Sequence, residues 1–363
     1  MNALFSRSRL AGAASSYVIA LTLLFSSLPA ALQAQTLVNE WSFNESGGST
    51  AIDSISSSNI TLVGGASLGG GVLTLPGGSG NYAQFPDGIL STFTNSMTIE
   101  TWFTDTGGNL WSRVFSIGGS TVSFAPDSGN YIDLVPRAGF AGNINGGLWA
   151  EFNHGSGALD AADPIPANSD ADRTPVKTGV PVYATVVYDG SSQTARLYFN
   201  GVQVGQANVA FKPSDLGFTR YNTLGLDQYG DSPFTGTVDE LRIWNGAVSQ
   251  RYISASMTAG PGVVINNLTP ASASLTAGAS IVLTETEQAV VTVQLPQTGS
   301  SDLLATADAT NWVSGDPSVL AVNSNGVISA VGLGTTTVSA TIAGINVNSG
   351  SITVTKQNLQ HEW

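Results

Sequence analysis

The stretch TARLYFNGVQVG, residues 194–205, constrains this chain more than any other. Ala195, Leu197 and Phe199 share one face of an alternating run, and a two-residue period is that of a half-buried strand. Asn200-Gly201 follows, two residues that tolerate φ > 0, as a two-residue hairpin turn requires. VPVYATVVYDGSS ends on Asp189-Gly190, the same device, and SMTIETWF and GTVDELRIWN read as further strands. Roughly a dozen such runs between Gln35 and about Met257 are separated by Gly, Asn and Asp turns, and no long helical period competes with them. The expectation is an all-β chain whose first module is a two-sheet sandwich rather than a closed barrel or an α/β fold.

Composition narrows the setting. MNALFSRSRL carries Arg7 and Arg9, Tyr17 to Phe25 is apolar, and SSLPAALQAQ offers small residues for cleavage. Residues 1–34 therefore read as a secretory signal peptide removed after Ala34. The apolar run is short for a bilayer and no later segment approaches the ~20 apolar residues of a spanning helix, so no membrane span is expected. The net charge of −13 becomes more negative by two when Arg7 and Arg9 leave with the leader. Such an acidic exported protein is a poor partner for nucleic acid or anionic lipid. The chain has no Cys, which points to a bacterial source and to stability from core burial rather than disulfides.

The 363 residues suggest two domains or three. Residues 35–258 form the first. Within it, residues 140–178 lose the alternation and gather Gly, Pro and acidic residues, so they read as a long rim insertion. Residues 259–262, with Gly260-Pro261-Gly262, read as a linker. Residues 263–355 are rich in Ala, Val, Thr and Ser, nearly free of charge, and of a length that suits an immunoglobulin-like sandwich. The tail 356–363 ends NLQHEW, where Leu359, Glu362 and Trp363 repeat the offsets of Leu37, Glu40 and Trp41 in TLVNEW.

The ordered motifs resemble known families. WSFNESGG, MTIETWF, VVYDGSSQTARLYFNGVQV and FTGTVDELRIWNGAVS are similar, in that order, to the opening, central, hairpin and closing strands of the laminin-G-like (type 3) jelly roll, within the concanavalin A-like lectin/glucanase fold. LTPASASLTAGASIVLT, NWVSGDPSVLAVNSNGVISAVGLGTTTVSATIAG and SITV resemble a group 2 bacterial Ig-like domain, including Trp312, Asp316-Pro317 and Asn325-Gly326. The resemblance implies a jelly-roll sandwich followed by an Ig-like sandwich that acts as spacer or adhesive module. NLQHEW then resembles the start of a further laminin-G-like module.

Alternation places Asp239 on the face of Leu241 and Ile243, and a carboxylate of inward parity must be paired, hydrogen-bonded or metal-bound. Asp53 and Glu45 follow the first strand, which in the family meets the closing one. Asp53, Asp239 and Glu45 are therefore candidate ligands of a structural calcium ion, the alternative being that Asp239 accepts backbone N–H groups. Asp160, Asp163, Asp170 and Asp172 match no calcium-loop spacing and read as solvated. The glucanase pattern Glu-x-Asp-x-(x)-Glu is absent: Glu100 has no second carboxylate at i+2 or i+4. His154 and His361 are the two histidines, and no nucleophilic triad is formed from them. LPQTG (295–299) lacks the apolar helix and basic tail of a sorting signal. Sugar rings stack on exposed aromatics flanked by amides and carboxylates, which makes Trp149, Phe152 and Tyr229 the candidate ligand-binding residues. Trp41, Trp102 and Trp312 lie in strand patterns and read as core. The function this implies is non-catalytic recognition of an extracellular carbohydrate or protein. The alternatives are an adhesive surface protein or the accessory region of a larger secreted enzyme.

Overall fold

The structure, a computed structural model, describes residues 35–139, 147–155, 176–298 and 301–356. The leader, the acidic stretch with Asp160, Asp163, Asp170 and Asp172, and the closing NLQHEW lie outside the described residues. In chain order the first strands are β1 (Thr36–Trp41), β2 (Thr50–Ala51), β3 (Ile60–Val63), β4 (Ser67–Gly69) and β5 (Val72–Pro76). They are followed by β6 (Tyr82–Gln84), β7 (Met97–Asp105), β8 (Phe115–Gly118), β9 (Asn130–Val135) and β10 (Trp149–His154). The module closes with β11 (Val182–Asp189), β12 (Thr194–Phe199), β13 (Val202–Asn208), β14 (Tyr221–Leu224) and β15 (Thr235–Asn245).

Two antiparallel sheets result. One runs β13-β12-β11-β7-β15-β5-β4, with β1 added on β15; the other runs β10-β9-β8-β14-β6-β3-β2. The alternation read from the sequence is what stacks them. Val182, Ala184, Val186 and Tyr188 of β11 and Met97, Ile99 and Phe103 of β7 enter the core between the sheets. Ile132 and Leu134 of β9 and Ala150 and Phe152 of β10 meet them from the other side. Edge-on aromatic contacts, Trp41 on Phe85 at 5.3 Å and Phe103 on Phe234 at 6.2 Å, help to fill the layer. The hairpin turn forms as its sequence dictates, with Asn200 at φ 47° and Gly201 at φ 80°.

Two expectations need correction. The rim insertion contains a regular element: β10 pairs with β9 in full register, from Trp149 opposite Val135 to His154 opposite Asn130, and forms the sheet edge. Asp239 does not share the face of Leu241 and Ile243. The register against β7 slips between Val238 and Glu240, so Val238 and Leu241 both enter the core and Asp239 is the bulged residue between them.

β15 is followed by an α-helix, α1 (Gln250–Ala259), capped by the Ser249 hydroxyl on the Tyr252 N–H at 3.3 Å and ended by Gly260 at φ 78°. The helix covers the outer face of the eight-stranded sheet, where Trp102, Tyr183 and Trp244 lie against Tyr252 and Ile253. Under it lies Glu100, fully buried, accepting from Tyr183 at 2.6 Å, Tyr252 at 2.7 Å, Trp244 Nε1 at 2.9 Å, Ser256 at 2.9 Å and Arg242 at 3.4 Å. The carboxylate that the sequence left without a catalytic partner is thus a structural hub, its charge matched by buried donors as interior burial demands.

Beyond α1, the described residues from Ser272 to Thr355 form twelve short strands in four three-stranded sheets around Val291, Val293, Leu320, Ile328, Val338, Ile342 and Ile352. This second β-module packs on α1. Asp308 accepts the first two free N–H groups of the helix, from Gln250 at 3.0 Å and Arg251 at 2.9 Å, and Ala307 N donates to the Gln250 side chain at 2.8 Å. Gly262 N, within the stretch read as a linker, donates to Glu240.

Candidate functional site

The seven-stranded sheet keeps its apolar residues inside, so its other face carries what alternation leaves over. That set is Tyr131, Asp133 and Val135 on β9, Trp149, Glu151 and Asn153 on β10, and Ser116 on β8. The register sets Asp133 directly opposite Glu151 on one side and Ser116 on the other, and Tyr131 opposite Asn153. Two carboxylates facing each other across strands repel unless a cation intervenes. Arg113, almost fully buried, is that cation: it reaches Asp133 at 2.9 Å, Glu151 at 3.5 Å and Asp231 at 2.6 Å, and donates to the Trp111 carbonyl.

Two loops roof the cluster. Trp111 holds a left-handed backbone (φ 59°), a strained state for a bulky residue. Its ring stands edge-on to Trp149 at 6.1 Å, with the Arg113 guanidinium 5.9 Å away. On the other side, the Asp227 carboxylate accepts N–H groups of Tyr229, Gly230 and Asp231 at 2.5, 2.6 and 3.1 Å, a compact anion-centred turn. That turn holds Tyr229 over the sheet. Its hydroxyl meets Tyr131 at 2.8 Å and the Ser128 carbonyl at 3.0 Å, while half of the residue (50%) stays exposed.

The electrostatics follow from this crowding. Burial pushes the Asp133 carboxyl up to about 8 despite Arg113, with Glu151 and Asp227 adding to the rise. Burial likewise raises Glu151, against the pull of Arg113 and Tyr131. The Tyr131 hydroxyl is driven far up by burial and then by both carboxylates. Arg113 is thus shared among three carboxylates, Asp133 and Glu151 buried beside it and Asp231 nearer the surface. Two buried acceptors, Asp133 Oδ1 and Asn153 Oδ1, have no donor from the protein. An unmatched buried acceptor costs about 1–3 kcal/mol.

The candidate sugar-binding residues are divided by the fold. Tyr229 is exposed at the site. Trp149 is 6% exposed, packed with Trp111, Val135 and Ala138, and Phe152 is inside the core against Tyr188 and Phe211. Both were expected as exposed platforms; both are buried because the stretch that looked like a loop is β10. Of the tryptophans expected in the core, Trp41 and Trp102 are buried and Trp312 is half-buried. Arg113, Asp133, Glu151, Asn153 and Tyr131 were not singled out in the sequence. The available signal was a charge inside an alternating run: Asp133 in NYIDLV and Glu151 in WAEFNH each face away from their apolar neighbours.

The candidate calcium ligands do not assemble. Asp53 Oδ1 accepts Glu40 N, Ile55 N and Ser56 N at 3.1, 3.0 and 3.1 Å, and Oδ2 accepts Asn39 Nδ2 at 2.6 Å and Ser56 Oγ at 2.5 Å. Glu45 accepts Ile52 N at 2.6 Å. Asp239 is half-buried at the β15 bulge, its carboxyl raised by burial. Among the described residues no three His, Cys, Asp or Glu are grouped so as to hold a metal. With its lone pairs already engaged by protein donors, Asp53 does not fit the open oxygen shell calcium needs.

The layered sheets, the outward polar face and the loop roof define a jelly-roll β-sandwich of the lectin kind. Residues 77–254 match the family model of the Concanavalin A-like lectin/glucanases superfamily, in its laminin-G type 3 form, so this chain contains a laminin-G-like jelly-roll domain. The chain is similar to an alpha-L-arabinofuranosidase of Bifidobacterium longum subsp. longum, 27% identical over 324 residues, covering 84% of this chain and 27% of that protein. It thus spans about a quarter of the length of the curated relative it matches. Among solved structures, domain 4 of AbnA, a GH43 extracellular arabinanase from Geobacillus stearothermophilus in complex with arabinotriose, is 22% identical with a TM-score of 0.41, covering 60% of this chain and 97% of that one. The CBM40 of the Ruminococcus gnavus IT-sialidase bound to alpha2,3 sialyllactose is 16% identical with a TM-score of 0.33, covering 49% and 92%. Both likenesses are distant. No helix among the described residues is long and apolar enough to cross a membrane.

Proposed function

We propose that this chain is the non-catalytic carbohydrate-recognition region of a secreted modular protein, accessory to a carbohydrate-active enzyme rather than a free-standing adhesin. The observation that carries the reading is the half-exposed ring of Tyr229, held by the Asp227 turn over the polar outer face of the seven-stranded sheet. Such an exposed aromatic face covers the apolar side of a sugar ring.

The same geometry argues against hydrolysis. Acid/base and nucleophile carboxylates must be free to protonate and attack. Asp133 and Glu151 are both held by one buried guanidinium. The accessory role is supported by the relative, an alpha-L-arabinofuranosidase of which this chain spans only a part. Export rests on the leader at residues 1–34, and the second β-module is read as a group 2 bacterial Ig-like domain on the motifs from Leu268 to Val354.

Affinity electrophoresis of the mature chain through arabinan, xylan, galactan and mixed β-glucan tests this. Retardation by at least one of these neutral polymers is expected, without release of reducing ends. Tyr229→Ala should weaken it by roughly tenfold, the scale of one lost aromatic contact. Migration unchanged in all four gels, or steady release of reducing ends, would sink the reading.

A further inference from the structure

The outer face of the seven-stranded sheet does not end at Tyr229. Tyr221 on β14 and Tyr82 on β6 point the same way as Tyr131, since Leu224 and Ala83, of opposite parity on the same strands, point into the core. The loop between β8 and β9 lays Phe124 across them. Its ring is stacked on Tyr82 at 5.7 Å and 17° and lies 4.7 Å from Tyr221. Phe124 is nonetheless 42% exposed, so this aromatic trio fills no core. Gly119 (φ 79°) lets the loop approach this closely: a Cβ there would stand 2.5 Å from Tyr221 Cβ and 2.7 Å from the Ala125 carbonyl.

The shelf and the polar cluster share one floor. Gln228 donates to the Tyr221 carbonyl at 3.1 Å and to Ser116 Oγ at 3.3 Å, and accepts from Asp127 N at 2.9 Å, tying the Tyr229 turn to the Phe124 loop. Between β9 and β6 lie three strand spacings, roughly 14 Å. That exceeds a single sugar ring. The charge on this floor is also one-sided. Arg113 already faces three carboxylates, and Arg220, near the shelf, is paired with Asp87 and stacked on Phe218. An anionic sugar would meet acidic neighbours and occupied guanidinium groups.

Resting on the carbohydrate reading above, we propose that the ligand is a neutral, extended oligosaccharide lying across the strands. One unit packs on the exposed face of Tyr229, and a later unit stacks on the Phe124–Tyr82–Tyr221 shelf as a second subsite.

Calorimetric titration of the mature chain with dimers to hexamers cut from the neutral polymers named above, and with oligogalacturonates as the anionic counterpart, is the test. Affinity should climb with length in the neutral series and stay weak for the anions. Phe124→Ala should cost the hexamer roughly tenfold and leave the dimer unchanged, whereas Tyr229→Ala weakens both. Phe124→Leu, which keeps apolar bulk and removes the ring, should behave as the Ala variant does. Hexamer affinity untouched in both Phe124 variants, or oligogalacturonates binding more tightly than neutral chains, overturns this inference while the carbohydrate reading stands. No binding by any oligomer overturns both.

Discussion

Burial of Asp133 on a sheet face that also holds Glu151 leaves Arg113 shared among three carboxylates, and burial favours the neutral form of Asp133. The Asp133 pKa stands at about 8 in the folded chain, against about 3.9 for an open one. A carboxyl raised in this sense binds a proton that unfolding releases, so its contribution favours the folded state at low pH and is lost as pH climbs from about 4 to about 8. The mature chain should therefore lose on the order of a few kcal/mol of stability across that window. Asp133→Asn, which cannot ionise, should flatten the slope. Urea melts of both proteins at pH 5 and pH 8 read this directly; parallel pH dependence in the two would refute it. Asp53 carries the opposite sign. Burial pushes its carboxyl up, but hydrogen bonds from Ser56, Asn39 and the Glu40 and Ile55 N–H groups outweigh burial and hold it below the ordinary range. Its contribution is present above about 4 and lost as pH falls through the lowered value.

At the scale of elements, the Asp53 carboxylate is the organiser of the turn between β1 and β3. It ties Asn39 on β1 to Ser56, and its own N–H donates to Asn59 at 2.9 Å. Asp53→Ala should cost about 1.5–3 kcal/mol, the range for hydrogen bonds to a charged group. Chelator and added calcium should leave the melting temperature of the wild type where it is. A calcium-dependent rise in that temperature would restore the metal to this turn. These elements also show what the sequence conceals. The hairpin at Asn200-Gly201 and the alternation of β7 and β11 were legible because local period and turn chemistry alone decide them. The inward parity assigned to Asp239 failed because a bulge depends on the partner strand, and β15 gives no local sign of its slip against β7. Trp149 and Phe152 looked like loop aromatics because Gly-rich flanks hid a six-residue edge strand whose order comes from β9. The site itself is built from Arg113, Asp133, Glu151 and Tyr229, on separate elements joined only by sheet register, and no spacing in the chain encodes that.

For the whole molecule, the decisive contact is the one Asp308 makes with the start of α1. The second β-module reads from its sequence as a spacer on a Gly-Pro-Gly linker, yet its Asp308 takes the two helix N–H groups that Ser249 leaves open and approaches Arg251 at 3.8 Å. Ser254 Oγ donates to the Leu304 carbonyl at 2.8 Å, and Ile265, Leu303 and Ala305 join the apolar cluster that Trp244 and Tyr252 begin. Helix α1 in turn seals Glu100 and Arg242, which are fully enclosed on a sheet face that would otherwise meet water. Loosening the helix would strip the Glu100 carboxylate of its Tyr252 and Ser256 donors, and a buried charge that loses its partners is strongly destabilising. The two modules should therefore unfold together. Calorimetry of the mature chain is expected to show one cooperative transition, and Asp308→Ala should move it as a whole by about 2 kcal/mol, the sum of a lost helix cap and a charged hydrogen bond. Two separate peaks, with Asp308→Ala shifting only one of them, would mean that the second module is a free spacer after all. A single shared transition would instead make it part of the scaffold that holds β7 and β15 in place, so that the sheet carrying Arg113 and Tyr229 is stacked on a fixed partner.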